Sequence, residues 1–189
     1  MLRSYFQGIC RLCGVFIALG ATAIIPSTQI LSKLFLWALG VEGTCKNEEK
    51  LTNLKKGIVV FNHPSFFDHA VLAAHMKKFP SFIASAKYLP FPLNILAKKY
   101  NTIIIRKNIS TTERIGQTSK TKVVAIAPQF NTSQEQHELN EFRTGAFIHN
   151  IPVTPVVIHY RPFELWNKQT FIQMIWQRMT GKPITYEIR

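Results

Sequence analysis

The sequence predicts an α/β fold, a mostly parallel or mixed sheet flanked by helices, and three observations point there. Short apolar runs at 58–61, 102–105 and 122–127 have the length and composition of strands buried on both faces. Stretches with helical spacing, at 66–78 and 93–99, separate them. Breakers such as Gly57, Asn62 and the Phe79-Pro80 pair fall between the two kinds of segment. At 189 residues the chain is about one domain's worth and long enough to bury a core.

The chain opens on an apolar segment. Residues 12–32 carry no charge, but Gly14, Gly20 and Pro26 interrupt them. The densest part, 15–25, falls short of the ~20 residues a helix needs to cross a bilayer. After Pro26 a second apolar segment, 30–41, contains Lys33 and Trp37. The pattern predicts an N-terminal membrane-associated helical hairpin that enters one leaflet, with Trp37 and the basic residues at headgroup level. One tilted span is an alternative. A cleaved signal peptide is another, given Arg3, Arg11 and Ala21-Thr22-Ala23, although apolar residues continue well past that site. The expected division is therefore 1–50, membrane-associated helices, and 51–189, the globular domain, with 45–56 as a polar connector.

Charge and cysteines narrow the class of partner. A formal net charge of +13 calls for an anionic one. The cations are scattered in pairs (Lys55-Lys56, Lys77-Lys78, Lys98-Lys99), and no nucleic-acid motif accompanies them. With 47% hydrophobic and 12% aromatic residues, a lipid bilayer fits better than nucleic acid. Cys10-x-x-Cys13 has the spacing of half a zinc site or of a redox pair, but no second pair accompanies it and Cys45 stands alone. Acylation of these cysteines and plain reduced thiols are both compatible with the apolar setting.

The chemistry concentrates after the first strand. His63 follows 58–61 directly, where ligands bind in open α/β sheets. Asp68 falls in the first turn of the next helix and can reach back to that imidazole, the makings of a general base. Ser65-x-x-Asp68 is also close to a capping box, so on spacing alone Asp68 could equally serve helix-start amides. In the helix at 66–78, Phe67, Ala70, Val71 and Ala74 share a face, which puts His69 and His75 on the solvated side. The six-residue spacings His63, His69, His75 do not suit a helical metal pair.

Asn62-His63-Pro64-Ser65-Phe66-Phe67-Asp68 resembles the N-H-x-S-x-x-D block of the glycerolipid (lysophospholipid) acyltransferases. Further segments resemble the family in order. Lys87 to Phe91 is similar to its lysine-then-proline segment, and Thr102 to Arg106 to its apolar strand closing on an arginine. Phe142-Arg143-Thr144-Gly145-Ala146-Phe147 is similar to F-K-x-G-A-F, and Ile151 to Ile158 to x-P-V-x-P-V-x-I. Gly181-Lys182-Pro183-Ile184 is similar to a late G-x-P-I element. One block departs. Where the family reads F-P-E-G-T-R-S, this chain has Ala127-Pro128-Gln129-Phe130-Asn131-Thr132-Ser133.

The resemblance implies transfer of an acyl chain from acyl-CoA, as co-substrate, to a hydroxyl of a lysophospholipid or glycerol phosphate at a membrane. It implies His63 as the base and Asp68 as the group that orients it. Ser65, Arg106, Lys107, Arg143 and Gly145 are the implied substrate-binding residues, the cations gripping phosphate. Neither metal nor prosthetic group is expected. The altered block keeps a second class open, a catalytically degenerate lipid-binding or scaffold protein of the same fold.

Overall fold

The computed structural model describes residues 10, 13–14, 28–86, 89, 93–105, 110–127, 147, 150–163 and 171–189. Helix α1 (Thr28–Ala38) leads into strand β1 (Val41–Cys45) and the short helix α2 (Glu48–Thr52). An alternation then begins: β2 (Gly57–Phe61), α3 (Asp68–Ala74), β3 (Ser81–Ser85), α4 (Leu93–Lys99), β4 (Ile103–Ile105), α5 (Thr111–Ser119) and β5 (Val123–Ile126). Strands β6 (Val153–Val156) and β7 (Ile158–Arg161), helix α6 (Phe171–Thr180) and strand β8 (Ile184–Ile188) complete the described elements.

Five of the strands form one sheet in the order β4-β3-β5-β2-β6, every pairing parallel. The reason lies in composition. The side chains of Ile58, Val59 and Phe61 in β2, and all of β5, are buried, which only a sheet covered on both faces allows. Pro155 is tolerated in β6 because that strand is at an edge of the sheet among the described strands, where its missing N–H breaks no ladder between them. Helix α5 starts as its sequence requires: Ser110 Oγ accepts the Glu113 N–H at 3.2 Å, a cap contributing about 1 kcal/mol.

The other three strands form a small mixed sheet, β1-β8-β7, parallel between β1 and β8 and antiparallel between β8 and β7. One extended run joins the two sheets. Val157, between β6 and β7, exchanges both backbone hydrogen bonds with Arg189 at 2.9 Å, so the strand leaves the large sheet and enters the small one. At Gly43, opposite Tyr186, a Cβ would collide with the tyrosine ring and carbonyl; only glycine lets β1 approach β8 here.

Two regions depart from expectation. Segment 45–56 is not merely a connector, since it closes β1 and contains α2. The expected hairpin is not shown: 15–27 lie outside the described residues, and its second limb is α1. Leu31, Leu36 and Ala38 of that helix are buried, and α1 packs against α3. The main core accordingly runs from Leu36 to Ile188. No helix among the described residues is long and apolar enough to cross a membrane.

Candidate active site

The site is built where β2 ends. Asn62, the first residue beyond the strand, continues the ladder with its side chain. Its Nδ2 donates to the Ile158 carbonyl at 2.9 Å, and its Oδ1 accepts the Ile158 N–H at 2.7 Å. A carboxamide here mimics one more peptide unit of β2. It pins the start of β7 against the chain that carries His63.

That clamp sets up the next contacts. His63 Nδ1 lies 2.7 Å from Asp68 Oδ2, and the same oxygen accepts the Ser65 N–H at 3.0 Å. The other carboxylate oxygen accepts the Tyr160 hydroxyl at 2.7 Å. Asp68 is fully buried, whereas the His63 side chain keeps 16% of its surface exposed. An ionised carboxylate facing Nδ1 accepts a hydrogen bond from the ring N–H and so keeps the proton on that nitrogen, which leaves the lone pair on Nε2. Both sequence readings of Asp68 therefore hold at once: it serves a helix-start amide and it orients an imidazole. Ser65 supports this turn, its Oγ accepting the Phe67 N–H at 3.3 Å.

Burial pushes the Asp68 carboxyl above the ordinary carboxylate range, against the downward pull of His63, Tyr160 and the Ser65 amide. Burial, reinforced by the neighbouring Asp68, likewise raises the Tyr160 phenol, which stays a donor. Aromatic rings wall the imidazole: Phe61 meets it edge-on at 6.1 Å and His69 at 5.4 Å between centroids.

His75 is buried rather than solvated, and His69 is half-buried. His69 packs against Phe82 at 4.4 Å between centroids, and burial, then the nearby His63, push its pKa down to about 3. His75 is buried, its Nδ1 2.9 Å from Glu48 Oε1 and its Nε2 2.9 Å from the Tyr186 hydroxyl. It ties α2 and β8 to the end of α3. Among the described residues no three His, Cys, Asp or Glu side chains cluster as metal ligands do.

Of the residues expected at the site, the structure brings together His63, Asp68 and Ser65. Arg106, Lys107, Arg143 and Gly145, and the altered block at 128–133, lie outside the described residues. Two participants escaped the sequence reading, the Asn62 clamp and Tyr160. The signal for Tyr160 was the inward alternation of Ile158 and Tyr160, which continues past the expected end of the strand at 158.

Comparison with known proteins follows the same outline. Residues 42–159 match the family model described as Acyltransferase. The chain is 28% identical to Lysophospholipid acyltransferase LPEAT1 of Arabidopsis thaliana over 85% of its length, and spans about half (47%) of that relative. It is 30% identical, over 86% of its length, to acl-1 of Caenorhabditis elegans, assigned by name to the 1-acyl-sn-glycerol-3-phosphate acyltransferases; 69% of that relative is covered. The crystal structure of the 1-acyl-sn-glycerophosphate (LPA) acyltransferase PlsC of Thermotoga maritima superposes with a TM-score of 0.65. That match covers all of this chain and 84% of the other at 14% identity, a likeness of fold.

Proposed function

This chain belongs to the acyltransferase family, and from that premise we propose that it moves a fatty acyl chain from acyl-CoA to a hydroxyl of a lysophospholipid. The observation that carries the reading is the buried Asp68 carboxylate 2.7 Å from Nδ1 of a partly exposed His63, at the carboxyl end of a parallel strand. His63 Nε2 takes the acceptor's hydroxyl proton as that oxygen attacks the thioester carbonyl. The C–S bond then breaks and the imidazolium returns the proton to the thiolate, leaving an ester and free coenzyme A. Asp68 holds the tautomer and stabilises the imidazolium. No prosthetic group enters this sequence of steps.

The names of the two relatives favour a lysophospholipid or acylglycerol phosphate as acceptor. The altered block bears on which. The family's arginine there is Thr132 in this chain, and one charge-assisted hydrogen bond is worth about 1.5–3 kcal/mol, or roughly 10- to 150-fold in selection. Arg106, Lys107 and Arg143 remain to hold a phosphate. The expected result is acceptor-dependent release of thiol from acyl-CoA. kcat/KM for lysophosphatidic acid should exceed that for lysophosphatidylcholine by less than about tenfold, and Arg106→Ala should harm the former more. Absence of thiol release across an acceptor panel would defeat the assignment. A preference of about a thousandfold, indifferent to Arg106, would mean that other residues hold the phosphate.

An amphiphilic acceptor calls for work at a lipid surface, and α1 offers a means. Ile30 and Trp37, seven residues apart and so on one helix face, are 57% and 56% exposed. The expectation is that the full chain floats with anionic liposomes and that Ile30→Ser/Trp37→Ser weakens the association. Unchanged flotation would remove α1 from the lipid contact.

A further inference from the structure

Strand β4 is an edge of the large sheet, paired with β3 alone among the described strands. Along its free side, between α4 and α5, a cleft of about 950 Å³ opens. Three cations line it: Lys98 from α4, Arg114 from α5, and Lys122 just before β5. No carboxylate does so among the described residues, and neither Lys98 nor Lys122 is ion-paired among them. Arg114 is held in place by one N–H, Nη1 donating to the Ile104 carbonyl at 2.7 Å, and a guanidinium has four more to offer. Burial lowers the Lys122 pKa, as expected for a cation partly withdrawn from water without a counter-charge.

The cleft also has direction. Ala86 and Leu89 follow β3 at the carboxyl edge of the sheet, the edge at which His63 follows β2. Thr102 and Lys122 precede β4 and β5 at the opposite edge. A ligand filling the cleft is therefore long, with its anionic part toward the lysines and its other end emerging on the catalytic side. In the strand order, β4 stands three places from β2, or ~14 Å at the usual spacing between strands. The carboxamides of Asn94 and Asn101 can pair with the edge of a base.

We infer that this cleft holds the phosphorylated nucleotide end of the acyl-CoA donor while its pantetheine arm crosses the carboxyl edge of the sheet toward His63. The inference rests on the acyl transfer proposed above. Its test compares palmitoyl-CoA with palmitoyl-pantetheine, which carries the same thioester without the nucleotide. The full chain should favour palmitoyl-CoA by about tenfold or more in kcat/KM. The Lys98→Ala/Lys122→Ala variant should lose that preference, and Lys98→Arg/Lys122→Arg should retain it. Calorimetric titration with free coenzyme A should show the same order of affinities. A preference that survives the alanine pair, or no wild-type preference at all, overturns the inference. If neither thioester turns over, the acyl-transfer reading fails, and calorimetry still decides the cleft. Coenzyme A binding that the alanine pair abolishes upholds it, and binding that is absent from the wild type or untouched by the pair overturns it.

Discussion

Replacing His63 by alanine is expected to lower turnover by ~10²- to 10⁴-fold, the contribution of a positioned acid–base group, while the fold is retained. The geometry separates this residue from its neighbours. His63 alone among the three histidines of this region combines contact with a buried carboxylate and partial exposure at the carboxyl edge of the sheet. His69 touches aromatic rings and stays neutral, and His75 is spent on Glu48 and Tyr186. Without the imidazole, Asp68 still accepts the Tyr160 hydroxyl and the Ser65 amide, so the cost to stability should be about 1–3 kcal/mol rather than unfolding. Single-turnover thiol release, paired with a thermal melt, separates the two effects. The assignment fails if His69→Ala abolishes turnover in a folded protein while His63→Ala does not.

Asp68→Asn should cost nearly as much activity yet leave the protein at least as stable at pH 7. An asparagine fits the site. Its oxygen can take the His63 and Ser65 N–H groups, and its NH₂ can donate to the Tyr160 oxygen once that hydroxyl rotates. What is lost is the negative charge beside the imidazolium of the proposed acyl transfer. The sign of the stability effect follows from the carboxyl's raised pKa. The native state holds the proton more tightly than the unfolded chain, whose Asp titrates near about 3.9. Stability from this group is therefore fully present below about pH 3.9 and is lost as pH rises through the folded value. At neutral pH the ionised Asp68 is a net cost that asparagine removes. Chemical denaturation of both proteins at pH 7 checks it, and marked destabilisation of the asparagine variant would show that the carboxylate is instead the favoured buried form.

Most strands of the large sheet and the local pair at the site were legible in the residues themselves, whereas the small sheet was not. Runs such as 58–61 and 123–126 have no polar face to offer water, so they can persist only inside a covered parallel sheet. Ser110 and Glu113 announce the start of α5 because a cap is a local hydrogen bond. His63 and Asp68 were legible for the same reason: five residues and one turn separate them, and no distant segment is needed to bring them together.

Tertiary structure decided what distant segments bring. Tyr160 stands 92 residues from Asp68, and Ile158 stands 96 from Asn62; both contacts exist only because β6 pairs with β2 and the strand then crosses into the second sheet. Periodicity assigned His69 and His75 to water because it sees only one helix at a time. α3 has α1 packed against it, and its C-terminal His75 is covered by Glu48 and Tyr186. The apolar residues of α1 themselves read as lipid-facing in isolation, yet Leu31, Leu36 and Ala38 turn into the protein and only Ile30 and Trp37 remain largely exposed among its large apolar side chains. Hydropathy records that a side chain avoids water; whether it does so against protein or against lipid depends on which other surfaces the fold brings to it.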